Sequence, residues 1–349
     1  MQKKTMKAAV LTGPNHVEIK DVPVPEVGAN DIEIKVSACG VCGSDIHMWK
    51  AGKGWAKGDL PNFTMGHEFC GVVTNPGSSS FKAGDRVVFW ANLYCGQCDM
   101  CLAGLEHLCR DVNGTNYIGF VCNGAYAERF AGKAKNAYLL PDNVSDIAAG
   151  CIDPLMVAYH AVRKAGIRLG DKVLVAGNGI IGNMIGELAK KSGASYAGLS
   201  KLNDVKLAPT KKAGFFDGYF TATDADVLKE LRDASNGGFD IAFEAVGAQS
   251  SLDICIQSVK PGGTVIMIGN SMTETIPVNI NRAVLQEVRL LGSVSCTREE
   301  FSGTIDLIAN GVINPEIYVT DIVSLDKLQN TFERLVTPTD SILKAVVRP

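Results

Sequence analysis

From Met6 to about Leu140 the apolar residues come in short runs or in alternation with polar ones, at the spacing of β-strands. The runs Met6–Leu11, Val17–Lys20 and Ile32–Ala38 are separated by Gly, Pro and Asn. Two more follow at Cys70–Thr74 and Arg86–Trp90, the second entered by a Gly84-Asp85 turn. Gly124–Phe130 and the run to Leu140 continue the pattern until Pro141-Asp142-Asn143 breaks it. This part predicts a compact, mostly antiparallel β domain.

Beyond Pro154 the period changes. Leu155–Ala165 has helical spacing and a stop at Gly166. Continuous apolar strands then alternate with amphipathic helices. Strands are predicted at Lys172–Ala176, Ser195–Leu199, Phe215–Thr221, Phe239–Glu244 and Thr264–Gly269, with Pro261-Gly262-Gly263 read as a turn. Helices are predicted at Asn183–Lys191, Val227–Ala234 and Ser250–Val259. Such alternation implies a doubly wound parallel sheet covered on both faces, so the chain as a whole is α/β. A strand at Val288–Ser293, a helix near Phe301–Asn310 and a strand at Lys344–Val347 remain, too little to fold alone. The last strand is therefore expected to return to the β domain.

Composition adds limits. The 349 residues suffice for two domains, and 46% hydrophobic with 20% charged residues suits a soluble globular protein. A net charge of -3 gives no reason to expect nucleic acid or an anionic membrane as partner. The N-terminus has lysines but no apolar run behind them, and no 18-residue apolar span occurs. A cytoplasmic protein is expected. Eleven cysteines there are ligands or buried thiols rather than disulfides.

Four of them, Cys95, Cys98, Cys101 and Cys109, have the spacing of a structural zinc site. Two-residue gaps let successive thiolates converge on one ion, and the longer gap lets the chain close a tetrahedron. Disulfides across such short gaps would be strained. A second motif, Gly177-Asn178-Gly179-Ile180-Ile181-Gly182, follows a predicted strand and opens a predicted helix. Gly177 permits a tight turn, Gly179 lets a pyrophosphate approach the backbone, and Gly182 lets the helix pack on the strand. The anion would sit at the N-terminus beginning with Ile180 and Ile181. About 20 residues on, where a carboxylate would bind a ribose hydroxyl, stand Ser200 and Lys201. A hydroxyl and a cation suit a 2′-phosphate, which favours NADP over NAD. Lys201 as a solvated surface lysine is the alternative.

Cys42-Gly43-Ser44-Asp45-Ile46-His47 and Gly66-His67-Glu68 supply further thiol, imidazole and carboxylate groups. Three protein ligands and a free position make a catalytic zinc, although Cys42 and His67 taken singly could be core residues. With these motifs, the two zinc patterns, Asp153-Pro154-Leu155 and the glycine loop, the chain resembles the zinc-dependent medium-chain alcohol and polyol dehydrogenases, near the sorbitol and threonine dehydrogenases. The resemblance implies a GroES-like catalytic domain, residues 1–155 and 293–349, interrupted by a Rossmann nicotinamide dinucleotide-binding domain, residues 156–292.

It further implies two zinc ions per chain and NADP or NAD. Cys42 and His67 match the family's catalytic zinc ligands. Glu68 matches a residue that ligates in some members and stands behind the ligands in others. Asp153 is expected as the further ligand, with Cys151 as its rival. Ser44 matches the hydroxyl that receives the substrate proton, and His47 the outer end of that relay. The substrate would be a small alcohol or ketone, and the assembly a homodimer or homotetramer. Trp49 falls where the family often lines its pocket, with core packing as the alternative. Ser295 stands where polyol dehydrogenases carry an arginine, and Arg298 comes three residues later, which weakens a sorbitol assignment. A polyol or diol leads. A bulkier apolar secondary alcohol, a 3-hydroxy amino acid, and a catalytically inert binding member of the family are the other readings.

Overall fold

The computed structural model describes residues 5–54, 63–111, 117–271 and 275–349. Met1–Lys4, the start of the stretch read for a leader, lie outside them. The chain divides into two compact units, Met1–Pro154 with Thr297–Pro349, and Leu155–Cys296.

The first unit is β-rich. Thr5–Gly13 pairs antiparallel with His16–Pro23 and with the short strand Phe63–Thr64. A larger sheet is centred on Asp31–Gly40, which pairs antiparallel with Glu68–Asn75, Arg129–Lys133 and the C-terminal strand Ala345–Arg348. Arg86–Phe89 and Ala137–Leu139 extend it on one side. Asp321–Ser324 pairs parallel with Ala345–Arg348 on the other. The inward faces bury Phe69, Phe89 and Phe130, whose ring centroids lie 4.7–5.2 Å apart. Edge-on and stacked rings of this kind add to what area burial contributes.

The expected strand at Gly124–Phe130 begins only at Arg129. The preceding residues are held by separate bonds, as where Ala9 donates to the Tyr126 carbonyl. Helix Gly43–Ala51 gives no clear amphipathic signal, because the charged Asp45 shares its buried face with Met48 and Trp49. It starts at Cys42, whose backbone N–H donates to Asp45 Oδ2 at 3.0 Å, and ends where Gly52 turns left-handed at φ 68°.

The second unit holds six parallel strands in the order Gly218–Thr221, Tyr196–Lys201, Lys172–Ala176, Phe239–Glu244, Val259–Met267, Arg289–Gly292. This is the order of a doubly wound dinucleotide-binding sheet, and it reverses direction beside Lys172–Ala176. Two readings change. Pro261-Gly262-Gly263 is not a turn but part of strand Val259–Met267, where the register slips between the Phe239↔Val259 and Ile241↔Thr264 pairs. The extra residues form a bulge that a Pro and two Gly accommodate. Helix Ile152–Ala165 also starts before the expected Leu155, since Pro154 in its first turn gives up an N–H that has no partner there anyway. Among the described residues no helix is long and apolar enough to cross a membrane.

Candidate active site

The structural cysteines come together as their spacing requires. Cys95, Cys98, Cys101 and Cys109 have their sulfurs within 4.8 Å of one another. All eleven cysteines are free thiols. The Cys95–Cys101 and Cys98–Cys109 sulfur pairs are each 3.9 Å apart. Thiolates about 2.3 Å from a zinc ion stand about 3.8 Å apart along the edges of a tetrahedron. The backbone N–H groups of Gln97 and Cys98 both donate to Cys95 Sγ, and that of Cys95 donates to Cys109 Sγ. Backbone donors from Arg110 and Cys101 pull the Cys98 thiol down to about 6, whereas burial pushes Cys101 up to about 12. Four sulfurs held this close can share one cation, on which they would ligate as thiolates, and zinc fits that donor set.

The second group is Cys42, His67 and Glu68, whose ligand atoms also lie within 4.8 Å of one another. Cys42 is set by the start of helix Gly43–Ala51, where the free N–H groups favour negative charge. Glu68 begins strand Glu68–Asn75, with His67 just before it. His67 is buried, edge-on to the Phe120 ring at 4.7 Å. Its Nδ1 lies 3.6 Å from Asp45 Oδ1. Asp45 is fully buried, and its Oδ2 accepts from the Tyr126 hydroxyl at 2.7 Å. The two atoms are too far apart to hydrogen-bond, but the Asp45 charge faces Nδ1 and leaves Nε2 to ligate a metal. Burial alone would lower the His67 pKa, but the Asp45 and Cys42 charges reverse the effect and raise it. Thiolate, imidazole and carboxylate form a donor set that fits zinc.

Asp45 was not assigned a role by sequence, although its place three residues into the helix, bonding back to Cys42, is a capping signal. Lys344 is a second residue that sequence reasoning missed. It is buried and ion-paired with Glu68, and its Nζ also donates to the Val41 carbonyl at 3.0 Å. Burial alone would lower the Lys344 pKa, but the Glu68 charge foremost, with Cys151 and Cys42, more than offsets this and holds it above its usual range. Space around the pair is tight. A Cβ on Gly40 would stand 2.2 Å from Glu68 Oε2 and 2.3 Å from the Gly150 carbonyl oxygen, so this position takes glycine.

Asp153 and Cys151 lie outside the Cys42–His67–Glu68 group as drawn by that 4.8 Å limit. Burial raises the Asp153 carboxyl to about 7, with His67 opposing and Glu68 adding to the rise, so all three feel one another's charge. Cys151 is fully buried, and burial pushes its thiol up to about 12. Ser44 and His47 sit one turn apart on helix Gly43–Ala51. Ser44 Oγ and His47 Nδ1 are both buried atoms with no hydrogen-bond partner. Burial, then the Lys50 charge, lowers the His47 pKa, leaving a neutral imidazole able to accept a proton. Trp49 is in the core instead, its ring 5.8 Å from Phe332 and its indole N–H donating to Gln329 Oε1. Arg298 donates to the Tyr138 hydroxyl at 3.2 Å and stacks over Tyr94.

In the second unit the glycine loop forms a cradle. Gly177 has φ 122°, and a Cβ on Gly182 would stand 2.0 Å from the Gly177 carbonyl oxygen. Gly179 precedes helix Ile180–Lys191 and has nothing within 4 Å of an added Cβ, so that side is open to a ligand. Ile180 and Ile181 begin the helix and contribute free N–H groups. The loop is tied to the next strand, since Gly177 N donates to the Ser200 carbonyl at 2.9 Å. Ser200 and Lys201 are buried at that strand's end. Lys201 Nζ pairs with Asp204 Oδ1 at 2.6 Å and donates to Thr221 Oγ1 at 2.9 Å. Sequence reasoning also missed Asn178. Its Oδ1 accepts from Thr210 while its buried Nδ2 has no partner. An open cradle with a spare donor fits a dinucleotide.

Two metal-type clusters in a β-rich unit and a dinucleotide cradle on a doubly wound sheet define a zinc- and NAD(P)-dependent alcohol dehydrogenase. Residues 28–142 match the model of the alcohol dehydrogenase GroES-like domain, and residues 181–310 that of the zinc-binding dehydrogenases. The sorbitol dehydrogenase of Bacillus subtilis is 31% identical over 352 residues, covering 99% of this chain and 98% of that one. The L-threonine 3-dehydrogenase of Pseudoalteromonas translucida is 34% identical over 91% of this chain and 92% of its own. A solved zinc-binding dehydrogenase structure from Sinorhizobium meliloti, bound to NADP, superposes with a TM-score of 0.89 at 28% identity, covering 99% of this chain and 100% of that one. The chain belongs to the zinc-dependent medium-chain dehydrogenase family.

Replacing Lys344 by Met leaves the buried Glu68 carboxylate without its cation. Chemical denaturation should show a loss of about 3–5 kcal/mol, of which Glu68→Gln in the same chain restores part. Equal stability of Lys344→Met and wild type would mean that the pair carries no weight.

Proposed function

We propose that the enzyme oxidises the secondary hydroxyl of a polyol, sugar alcohol or diol to a ketone, and reduces the ketone in reverse. The observation that carries this reading is the pair of unpartnered atoms, Ser44 Oγ and His47 Nδ1, on the helix that begins at Cys42. The two buried atoms, one turn apart and not bonded to each other, would pass one proton through a hydroxyl placed between them, such as that of the cofactor ribose. Cys42 and His67 would hold zinc, with Glu68 held behind them by Lys344 or ligating in turn, and Asp153 as the further carboxylate. Zinc would act as a Lewis acid on the substrate oxygen, and the nicotinamide would accept the hydride. Ser44 then takes the substrate proton, and neutral His47 relays it outward. The arrangement needs a hydroxyl whose carbon still bears a hydrogen.

The named activities of the relatives, on sorbitol and on L-threonine, both concern such hydroxyls. Serine at 295 and the engagement of Arg298 with Tyr138 favour a diol over a longer sugar alcohol. Aspartate at 153, the residue type of the threonine dehydrogenases, supports a second reading in which the substrate is a 3-hydroxy amino acid. An oligomer is also proposed. Strand Arg289–Gly292 ends its sheet, and Ile280, Val284 and Leu285 are exposed in the helix just before it.

The test is cofactor absorbance over a panel of diols, sugar alcohols, apolar secondary alcohols and L-threonine, with NAD and NADP. Turnover of a secondary alcohol that falls about 100-fold or more in Ser44→Ala is expected. Activity that survives full removal of zinc, or no turnover by zinc-loaded enzyme, would overturn the reading.

Lys201 carries a second prediction. If it contacts a 2′-phosphate, Lys201→Asp moves the ratio of kcat/KM values toward NAD by about tenfold or more. Unchanged constants for both cofactors would refute that contact.

A further inference from the structure

The second unit has a cavity that plays no part in the chemistry proposed above. Its volume is about 270 Å³, and Arg232, Ser258, Arg282, Gln257 and Gln286 are among the residues lining it. It opens where strands Phe239–Glu244 and Val259–Met267 begin, since Gly238, Ser258 and Val259 line it. The glycine cradle follows the other end of the neighbouring parallel strand Lys172–Ala176. About 17 Å of strand lies between the two levels. A ligand here is therefore not the dinucleotide.

Two of its polar atoms are buried and unsatisfied. Ser258 is 6% exposed, and its hydroxyl has no hydrogen-bond partner. Arg282 Nε is likewise a buried donor without an acceptor, and Arg282 makes one weak side-chain bond, 3.4 Å to the Gln257 carbonyl. Neither Arg282 nor Arg232 is ion-paired with any described residue, and no acidic side chain is among those lining the cavity. Buried donors left without acceptors are costly. Arg282, half-buried, Arg232, exposed at the rim, and the buried Ser258 hydroxyl line one small space, which a compact anion with several acceptor oxygens matches. A planar guanidinium can meet such an anion with two parallel N–H···O bonds.

We propose that this cavity binds a phosphate group, free or carried as the monoester of a small metabolite. The arginines supply the charge, Arg282 from helix Ile280–Leu285 and Arg232 from helix Val227–Ala234. Ser258 supplies the short-range contact that selects a tetrahedral oxyanion. The occupant bridges two helices that flank one side of the sheet, so binding stiffens this end of the dinucleotide-binding unit.

The test is isothermal titration of inorganic phosphate, and separately of glycerol phosphate, into enzyme saturated with its reduced nicotinamide cofactor. Saturation keeps the probe out of the glycine cradle. Wild type should bind inorganic phosphate at about millimolar or better, and Arg282→Met, Arg232→Met and Ser258→Ala should each weaken it, the arginine variants by about tenfold or more. Unchanged cofactor affinity in the variants shows that the unit is folded. Glycerol phosphate binding with the same dependence on Arg282 identifies a phosphate ester as the occupant, and its exclusion identifies free phosphate. No heat of binding with either probe, or equal binding by wild type and the Arg232→Met/Arg282→Met variant, would overturn the proposal.

Discussion

Burial of charge is the constraint around which the first unit is built. Asp45, His67, Glu68 and Lys344 are all withdrawn from water. A charge in such surroundings persists only if it is paired or holds a metal. Each of the four has its answer. Glu68 is matched by Lys344, His67 faces Asp45, and Asp45 is further held by the Tyr126 hydroxyl and the Cys42 amide. Gly40 leaves the space in which the Glu68–Lys344 pair fits.

The same pairing fixes the chemistry. With the Asp45 charge facing Nδ1, the other nitrogen of His67 is available to a metal. With Lys344 balancing Glu68, the carboxylate can stand beside a cation without being forced onto it. Helix Gly43–Ala51 serves three ends at once. Its first turn presents Cys42, its next residues carry Ser44 and His47, and its far face puts Trp49 against Phe332 in the core.

Much of this was legible in the sequence, for a physical reason. The thiolates at 95, 98, 101 and 109 and the glycines at 177, 179 and 182 act within short spans of chain, so spacing alone exposes them. Alternation of strands and helices revealed the parallel sheet because burial on both faces leaves continuous apolar runs. Lys344 was not legible. It lies 276 positions from Glu68, and a lysine near a chain end reads as a surface residue. Asp45 was in view within its motif, but its role depends on the distance to His67. Pro261-Gly262-Gly263 read as a turn because bulges and turns use the same residues. Trp49 was left open between pocket and core because position along a helix does not say which face meets the core.

Cys42 and His67 would hold a second zinc ion, apart from one that the four cysteines would enclose. Anomalous diffraction at the zinc absorption edge, from crystals of active enzyme, tests it most directly. Two peaks per chain are predicted, one among Cys95, Cys98, Cys101 and Cys109, and one between Cys42 and His67 beside Glu68. A single peak at the four cysteines, in crystals of enzyme that turns over alcohol, would contradict the account.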